Sequence, residues 1–255
     1  MKIKLSAISY QLSAIIILLI IILSNTSCVK KVPDESKTDA ELFSEATILF
    51  EKKDFDDALM KFKILKTKYP ASKYLTETEL KIAICYYEKS EWIEAIAAFQ
   101  NFEKLHPTNE HVALAIYKTG LSYYNDSPKA IDRDQTSLKK ALEQLKRLKE
   151  RYPSFEYMDN TKEVIAEIHK RLGDRIIYIG NFYFKRDNWQ AALNRYKEAI
   201  SNYEDLSFQE ELYYKIGICY KKLGETDASE QVLKLYLNKY PDGKYYKKIK
   251  NILKL

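Results

Sequence analysis

Ala58-Leu59-Met60-Lys61-Phe62, running on to Tyr69-Pro70, is the phrase that decides the fold, because the chain repeats it. A small residue followed four positions later by a bulky one recurs at Ala95/Phe99, Ala141/Leu145, Ala192/Tyr196 and Ser229/Leu233. Each small residue stands twelve positions ahead of the end of a terminal dipeptide, at His106-Pro107, Tyr152-Pro153, Tyr203-Glu204 and Tyr240-Pro241. Self-similarity at a period of roughly 34 residues marks a solenoid of helix-turn-helix units. One such unit cannot bury its apolar face alone, so units stack and create a long concave surface suited to gripping other polypeptides.

The fold class that follows is all-α, a tetratricopeptide-repeat solenoid of five repeats. The composition agrees: the chain carries only 6 Gly and 6 Pro, and strand-like alternation with hairpin turns is absent. Aligned on the terminal Pro, repeat one covers residues 39–70 and repeat two residues 76–107, with Ala46 and Ala83 where the helices cross. Gly120, Gly180 and Gly217 take that position later. A mid-helix Gly costs about 1 kcal/mol relative to Ala, so three in register imply a close approach. Repeat three holds a polar insertion, residues 125–136, expected to be a loop that projects toward partners. A further segment, with Val164, Ile168 and Leu172 on a four-residue step, predicts one long helix over residues 159–185 that joins an N-terminal half, residues 39–158, to a C-terminal half, residues 159–255. Cys85 and Cys219 share one slot, in Ile-Cys-Tyr both times. They read as small buried hydrophobes.

The first residues are set apart from the solenoid. Lys2 and Lys4 precede an apolar run, Ala14 to Leu23, which ends at Ser24-Asn25-Thr26-Ser27-Cys28. That is the order of an export signal, residues 1–27. The run is short for a membrane span, which needs about 20 apolar residues. An uncleaved anchor that counts Leu5 to Leu12 is the competing reading, and Ser6, Ser9, Gln11 and Ser13 weaken it. The Cys after a small residue resembles the lipobox of bacterial lipoproteins, with the N-acyl and diacylglycerol lipid on Cys28, although Asn25 departs from the aliphatic residue favoured there. Residues 28–38 then form a flexible tether. Val29 in place of Asp points to the outer membrane rather than the inner one.

Beyond the generic repeat, three features share one order: the insertion Asp132-Arg133-Asp134-Gln135-Thr136, a long helix after Tyr152-Pro153, and Phe182-Tyr183-Phe184-Lys185-Arg186 followed by Trp189-Gln190-Ala191-Ala192-Leu193-Asn194-Arg195. With the lipoprotein-like leader they resemble the BamD family of outer-membrane assembly lipoproteins, over nearly the whole mature chain. The resemblance implies a non-enzymatic scaffold, lipid-anchored at the periplasmic face of the outer membrane. Its implied partners are the barrel-forming assembly subunit, accessory lipoproteins and unfolded outer-membrane proteins with aromatic-ended signals. A periplasmic tetratricopeptide adaptor for cell-wall or division enzymes is the rival reading, and a secretin-pilot lipoprotein a third.

Residue by residue, the fifth, ninth and twelfth positions of the first helix in repeats one to three are expected to face the groove. They are Phe43, Thr47 and Phe50; Leu80, Ile84 and Tyr87; Tyr117, Leu121 and Tyr124. Eight of the nine are apolar or aromatic, which suits burial of aromatic side chains from an extended peptide; packing against neighbouring helices is the competing use of the same residues. Arg195, three residues past Ala192, should lie off the core stripe, and the resemblance implies that it docks the barrel subunit, with Lys185 and Arg186 beside it. A bidentate Arg–carboxylate pair fits that task. No catalytic set, metal-ligand spacing or phosphate loop is found, and no cofactor besides the lipid is expected. The net charge of +6 is mild, and the basic stretches read as solvated helix faces rather than as a nucleic-acid footprint.

Overall fold

The computed structural model describes residues 36–203 and 209–255, and among them are eleven α-helices and no strand. Repeat one is α1 (Asp39–Glu51) with α2 (Phe55–Lys68), and repeat two is α3 (Leu75–Glu88) with α4 (Trp92–Leu105). Repeat three is α5 (Val112–Asp126) with α6 (Thr136–Arg151), and α7 (Met158–Phe184) opens repeat four, completed by α8 (Trp189–Asn202). Repeat five is α9 (Gln209–Lys222) with α10 (Thr226–Lys239), and α11 (Tyr246–Leu253) packs on α10. Cys28, residues 28–35 of the expected tether, and Glu204 lie outside the described residues.

Local chemistry explains the helix ends. Thr38 and Glu41 form a reciprocal capping box: the Thr38 side chain accepts from Glu41 N at 3.3 Å, and Thr38 N donates to Glu41 Oε2 at 2.8 Å. Asp54 and Asn188 cap α2 and α8 through the N–H three residues on. The turn inside repeats one, two, four and five passes through the left-handed region at Lys53, Ser90, Asp187 and Gly224, always five residues ahead of the marker Ala or Ser. Only Gly224 takes that conformation without a Cβ penalty. The terminal dipeptide closes the second helix: Tyr69, His106, Tyr152 and Tyr240 donate their backbone N–H to Leu65, Phe102, Leu148 and Tyr236 O at 2.8–2.9 Å.

The two marker positions of each repeat meet in space. Leu145 covers Gly120, Tyr196 covers Gly180 and Leu233 covers Gly217, each so closely that no Cβ would fit without displacing it. The glycines therefore set the crossing distance. In repeat five the marker is Ser229, whose buried hydroxyl donates to Gly217 O at 2.8 Å, so the same contact gains a hydrogen bond.

The core is not one body but a series. Phe62 and Ala46 share a cluster with Cys85 of the next helix, and Phe99 and Ala83 with Ala115 of the next. The pattern continues through Leu145 and Ile168, then Tyr196 and Leu212, then Leu233 and Ile249. Each repeat thus completes its core with the first helix of its neighbour, as quasi-one-dimensional stacking requires. Cys85 and Cys219 are free and buried, and burial pushes both thiols up to about 12.

The long helix expected over residues 159–185 is α7, 27 residues and about 40 Å long at 1.5 Å per residue. Its first half, with Ile168 and Leu172, belongs to the core of repeat three, and its second half, with Ile176, Ile177 and Phe184, to that of repeat four. One correction concerns the tether. Lys37 is only 5% exposed, its ammonium pairs with Glu45 at 2.7 Å, and its carbonyl accepts from Tyr69 Oη at 2.6 Å. The folded body therefore starts before residue 38, because a lysine clamped between α1 and α2 is part of the packing.

Candidate binding surfaces

The groove positions of the first three repeats divide into two kinds. Leu80 and Tyr117 are core, each 6% exposed. The Tyr117 ring stacks on Tyr157, and its hydroxyl donates to Asn160 Oδ1 at 2.5 Å. Phe43, Phe50, Ile84, Tyr87, Leu121 and Tyr124 are half-buried. Phe43 stacks on Tyr74 at 4.6 Å, a partner the repeat pattern does not reveal because Tyr74 lies just ahead of α3. Phe50, Leu80 and Ile84 come together in one cleft of about 460 Å³, joined by Lys81, His111 and Leu114 among others. Its apolar floor and charged rim suit an amphipathic polypeptide segment.

The half-buried rings are not bare. Lys81 Nζ lies 4.7 Å from the centre of Phe50, Lys118 Nζ 3.8 Å from that of Tyr87, and the Arg171 guanidinium 5.4 Å from that of Tyr124. Each ring sits in the twelfth slot of one repeat and each cation on the first helix of the next. Burial holds the Lys118 ammonium below its ordinary pKa, with Glu88 at 3.7 Å offsetting part of that cost. The groove is therefore less greasy than its side-chain list suggests: the aromatic row is faced by a cationic one.

The insertion of repeat three spans residues 127–135 between α5 and α6. It is held against α7 by Arg171 Nη2, which donates to Pro128 O at 2.8 Å, and by Arg175 Nη1, which donates to Ile131 O at 2.9 Å and to Arg133 O. Gln135 is buried, and its amide nitrogen donates to Pro128 O and Ala130 O at 3.1 and 3.2 Å. Asp134 accepts from Thr136, which holds its carboxyl below the usual range.

In the C-terminal half the three cations singled out in the sequence each have a place of their own. Arg195 is exposed on α8 and pairs with Glu198 on the same helix at 2.6 Å. The Arg186 guanidinium lies over the Phe182 ring at 3.6 Å, and Lys185 is the exposed C-cap of α7. Reading the residues one at a time missed two exposed rings: Tyr178 and Phe182, one turn apart on α7, are 48% and 45% exposed. The Phe182-Tyr183-Phe184 run placed on helical spacing is the signal that locates Phe182 outside the core. Arg195 adjoins the same helix, its Cβ packing beside Gly180.

Among the described residues no group of His, Cys, Asp and Glu could hold a metal ion, and no helix is long and apolar enough to cross a membrane. His106 Nε2 instead lies 2.6 Å from Glu79 Oε2, whose other oxygen takes Lys66 at 2.8 Å.

Comparison with known proteins matches residues 35–235 to the family model described as outer membrane lipoprotein, YfiO. The chain is 24% identical over 214 residues to the outer membrane protein assembly factor BamD of Neisseria gonorrhoeae, with 80% of both chains covered. It is 31% identical over 104 residues to BamD of Vibrio cholerae, covering 41% of this chain and 43% of that one. With BamD of Rickettsia prowazekii it shares 29% over 96 residues, 38% of each. The last two matches thus span about two-fifths of those relatives. A family model that covers residues 35–235 of a 255-residue chain takes in both halves of the solenoid, and on that extent the chain belongs to the outer membrane lipoprotein family YfiO.

Proposed function

We propose that this chain is a non-enzymatic scaffold lipoprotein of the outer-membrane β-barrel assembly complex. The observation that carries the reading is the family match across residues 35–235, together with relatives whose name is outer membrane protein assembly factor. The lipid sits on Cys28 and anchors the chain at the periplasmic face of the outer membrane, where acyl chains supply the affinity. Exposed side chains of α7 and α8 dock the barrel-forming subunit, Arg195 from α8 and Arg186, Lys185, Phe182 and Tyr178 from α7; accessory lipoproteins join the same assembly. Aromatic anchors rimmed by arginine are the composition of interface hot spots. The groove of repeats one to three, with Phe43, Phe50, Ile84, Tyr87, Leu121 and Tyr124 over the floor made by Leu80 and Tyr117, receives unfolded outer-membrane proteins.

Affinity purification of the full-length chain from detergent-solubilised membranes tests this. A barrel-forming subunit among the captured proteins is expected. Capture of a cell-wall synthase or division enzyme in its place would transfer the reading to a periplasmic adaptor. The same fractions test the anchor: Cys28→Ala should move the chain to the soluble periplasm, and retention on membranes at high salt would remove the lipid from the account.

A further inference from the structure

The chain enters the folded body beside the C-terminal end of α2. The Lys37 carbonyl accepts from Lys68 Nζ at 3.3 Å and from Tyr69 Oη at 2.6 Å. Lys68 also lines a shallow apolar depression on the outside of α2, together with Met60, Lys63, Ile64 and Thr67. Met60 is 50% exposed, and Lys63, Thr67 and Lys68 are exposed around it. No acid lines the depression. Residues 58–76 hold Lys61, Lys63, Lys66, Lys68 and Lys73 and no Asp or Glu. The balance stays positive when Glu45 and Glu79, at 2.8 Å from Lys61 and Lys66, are set against them. The acids of α2, Asp56 and Asp57, stand in its first turn, at the far end. Met60 and Ile64 lie two and six residues past the marker Ala58. In repeats two to five those positions hold Ala97 and Asn101, Glu143 and Arg147, Asn194 and Glu198, and Gln231 and Leu235. Two large apolar residues at these outer positions thus occur only in the repeat where the N-terminal segment enters.

We propose that the outside of α2 rests on the anionic phospholipid surface that holds the lipid of Cys28, and so fixes how repeat one meets the membrane. The proposal rests on the lipid-anchor reading above. Lys37 is nine residues past Cys28, a reach of about 30 Å at most, so α2 stays near the headgroups. A helix confined in this way meets the surface at high effective concentration, and a contact too weak to bind by itself suffices. Lysines flanking an apolar strip suit that surface. Their ammonium groups meet lipid phosphates while Met60 and Ile64 enter the headgroup boundary. The tether adds no net charge, since Asp34 and Glu35 offset Lys30 and Lys31, so the attraction comes from the folded body.

The test uses the full mature chain, purified from membranes and carried into vesicles of phosphatidylethanolamine and phosphatidylglycerol that contain a spin-labelled, quenching phospholipid. A thiol-reactive fluorophore is coupled to Met60→Cys or, in repeat five, to Leu235→Cys. Leu235 is 49% exposed and matches Ile64 in register. Cys85 and Cys219 are buried, which keeps them from the reagent. Quenching should be severalfold stronger at Met60→Cys than at Leu235→Cys. That contrast should shrink severalfold in phosphatidylcholine vesicles, in a chain that also carries Lys63→Glu and Lys68→Glu, and as salt rises from about 0.01 to 1 M, where the screening length drops from about 30 to 3 Å. The lipid and salt series keep the test decisive should the charge-reversed chain not fold. Equal quenching at the two positions, or a contrast that neither lipid charge nor salt alters, overturns the proposal and leaves the anchor standing. No quenching at Met60→Cys in a chain that floats with the vesicles also overturns it, by assigning the strip to a protein partner. Coupling of the fluorophore to the unaltered chain would show Cys28 bare, and would remove the anchor and the proposal together.

Discussion

The Tyr196 ring lies against the backbone of α7 at Gly180, so closely that a Cβ built on Gly180 would stand 2.6 Å from Tyr196 Cε1. The Tyr196 hydroxyl donates to Asn181 Oδ1 at 2.8 Å, where Lys215 Nζ also arrives at 2.6 Å. Burial pushes the phenol of Tyr196 up beyond its ordinary range. One contact thus joins α7, α8 and α9, and it holds the face that carries Arg195.

Gly180→Ala should therefore destabilise the chain although Ala is the better helix former. Overpacking costs about 1–3 kcal/mol and the gain in propensity is about 1 kcal/mol, so a net loss is expected in a denaturant titration. Gly224→Ala makes a contrast. Nothing lies within 4 Å of its Cβ, yet its φ of +82° is strained for any residue with a Cβ, so about 1 kcal/mol should be lost from backbone strain alone.

Glu79 predicts acid sensitivity at the junction of the first two repeats. Burial raises its pKa, but hydrogen bonds from Lys66 and His106 together outweigh burial and leave the carboxyl below its ordinary value. A carboxylate depressed in the folded state contributes stability above its unfolded pKa, about 4.3, and loses it as pH falls through the folded value. Glu79→Gln should cost about 1–3 kcal/mol near neutral pH and flatten the decline in melting temperature below about pH 4. An unchanged pH profile in the variant would show that another group carries the sensitivity.

Arg175→Ala should free the insertion without unfolding the domain. Its guanidinium holds the Ile131 and Arg133 carbonyls from a half-buried position at the edge of α7, so the cost to global stability should stay within about 1 kcal/mol. Amide exchange over residues 128–134 should accelerate severalfold, while exchange in α5 and α6 stays as before.

Arg195→Glu should leave the fold intact, since Arg195 is exposed and its partner Glu198 lies on the same helix, and such pairs contribute about 0.2–0.5 kcal/mol. Binding of the purified barrel-forming subunit should weaken by more than about 1 kcal/mol, because repulsion replaces attraction. An unchanged titration would take Arg195 out of the docking face.

Repeats, crossing points, the long helix and the loop are legible in the chain because each rests on spacing: Ala or Gly at one register, a bulky residue four past the next marker, no Pro within α7. What spacing cannot show is pairing between repeats. The cations over Phe50, Tyr87 and Tyr124 come from the first helix of the following repeat, and nothing local to those rings announces them. Tyr117 fits the groove pattern by position, but Asn160 and Tyr157, some forty residues on, draw it into the core. Lys37 reads as tether by composition, and only the fold reveals Glu45 and Tyr69 around it.

As proposed, one chain uses two separate surfaces, exposed residues of α7 and α8 for the assembly subunit and a groove in repeats one to three for unfolded clients. Photo-crosslinking in living cells, with a reactive side chain placed at Phe182 or at Ile84, measures this directly. Phe182 should capture the barrel-forming subunit, and Ile84 should capture unfolded outer-membrane proteins while they are being made. Capture of cell-wall enzymes at both positions, or of the barrel-forming subunit at Ile84 with no client at either, would contradict it.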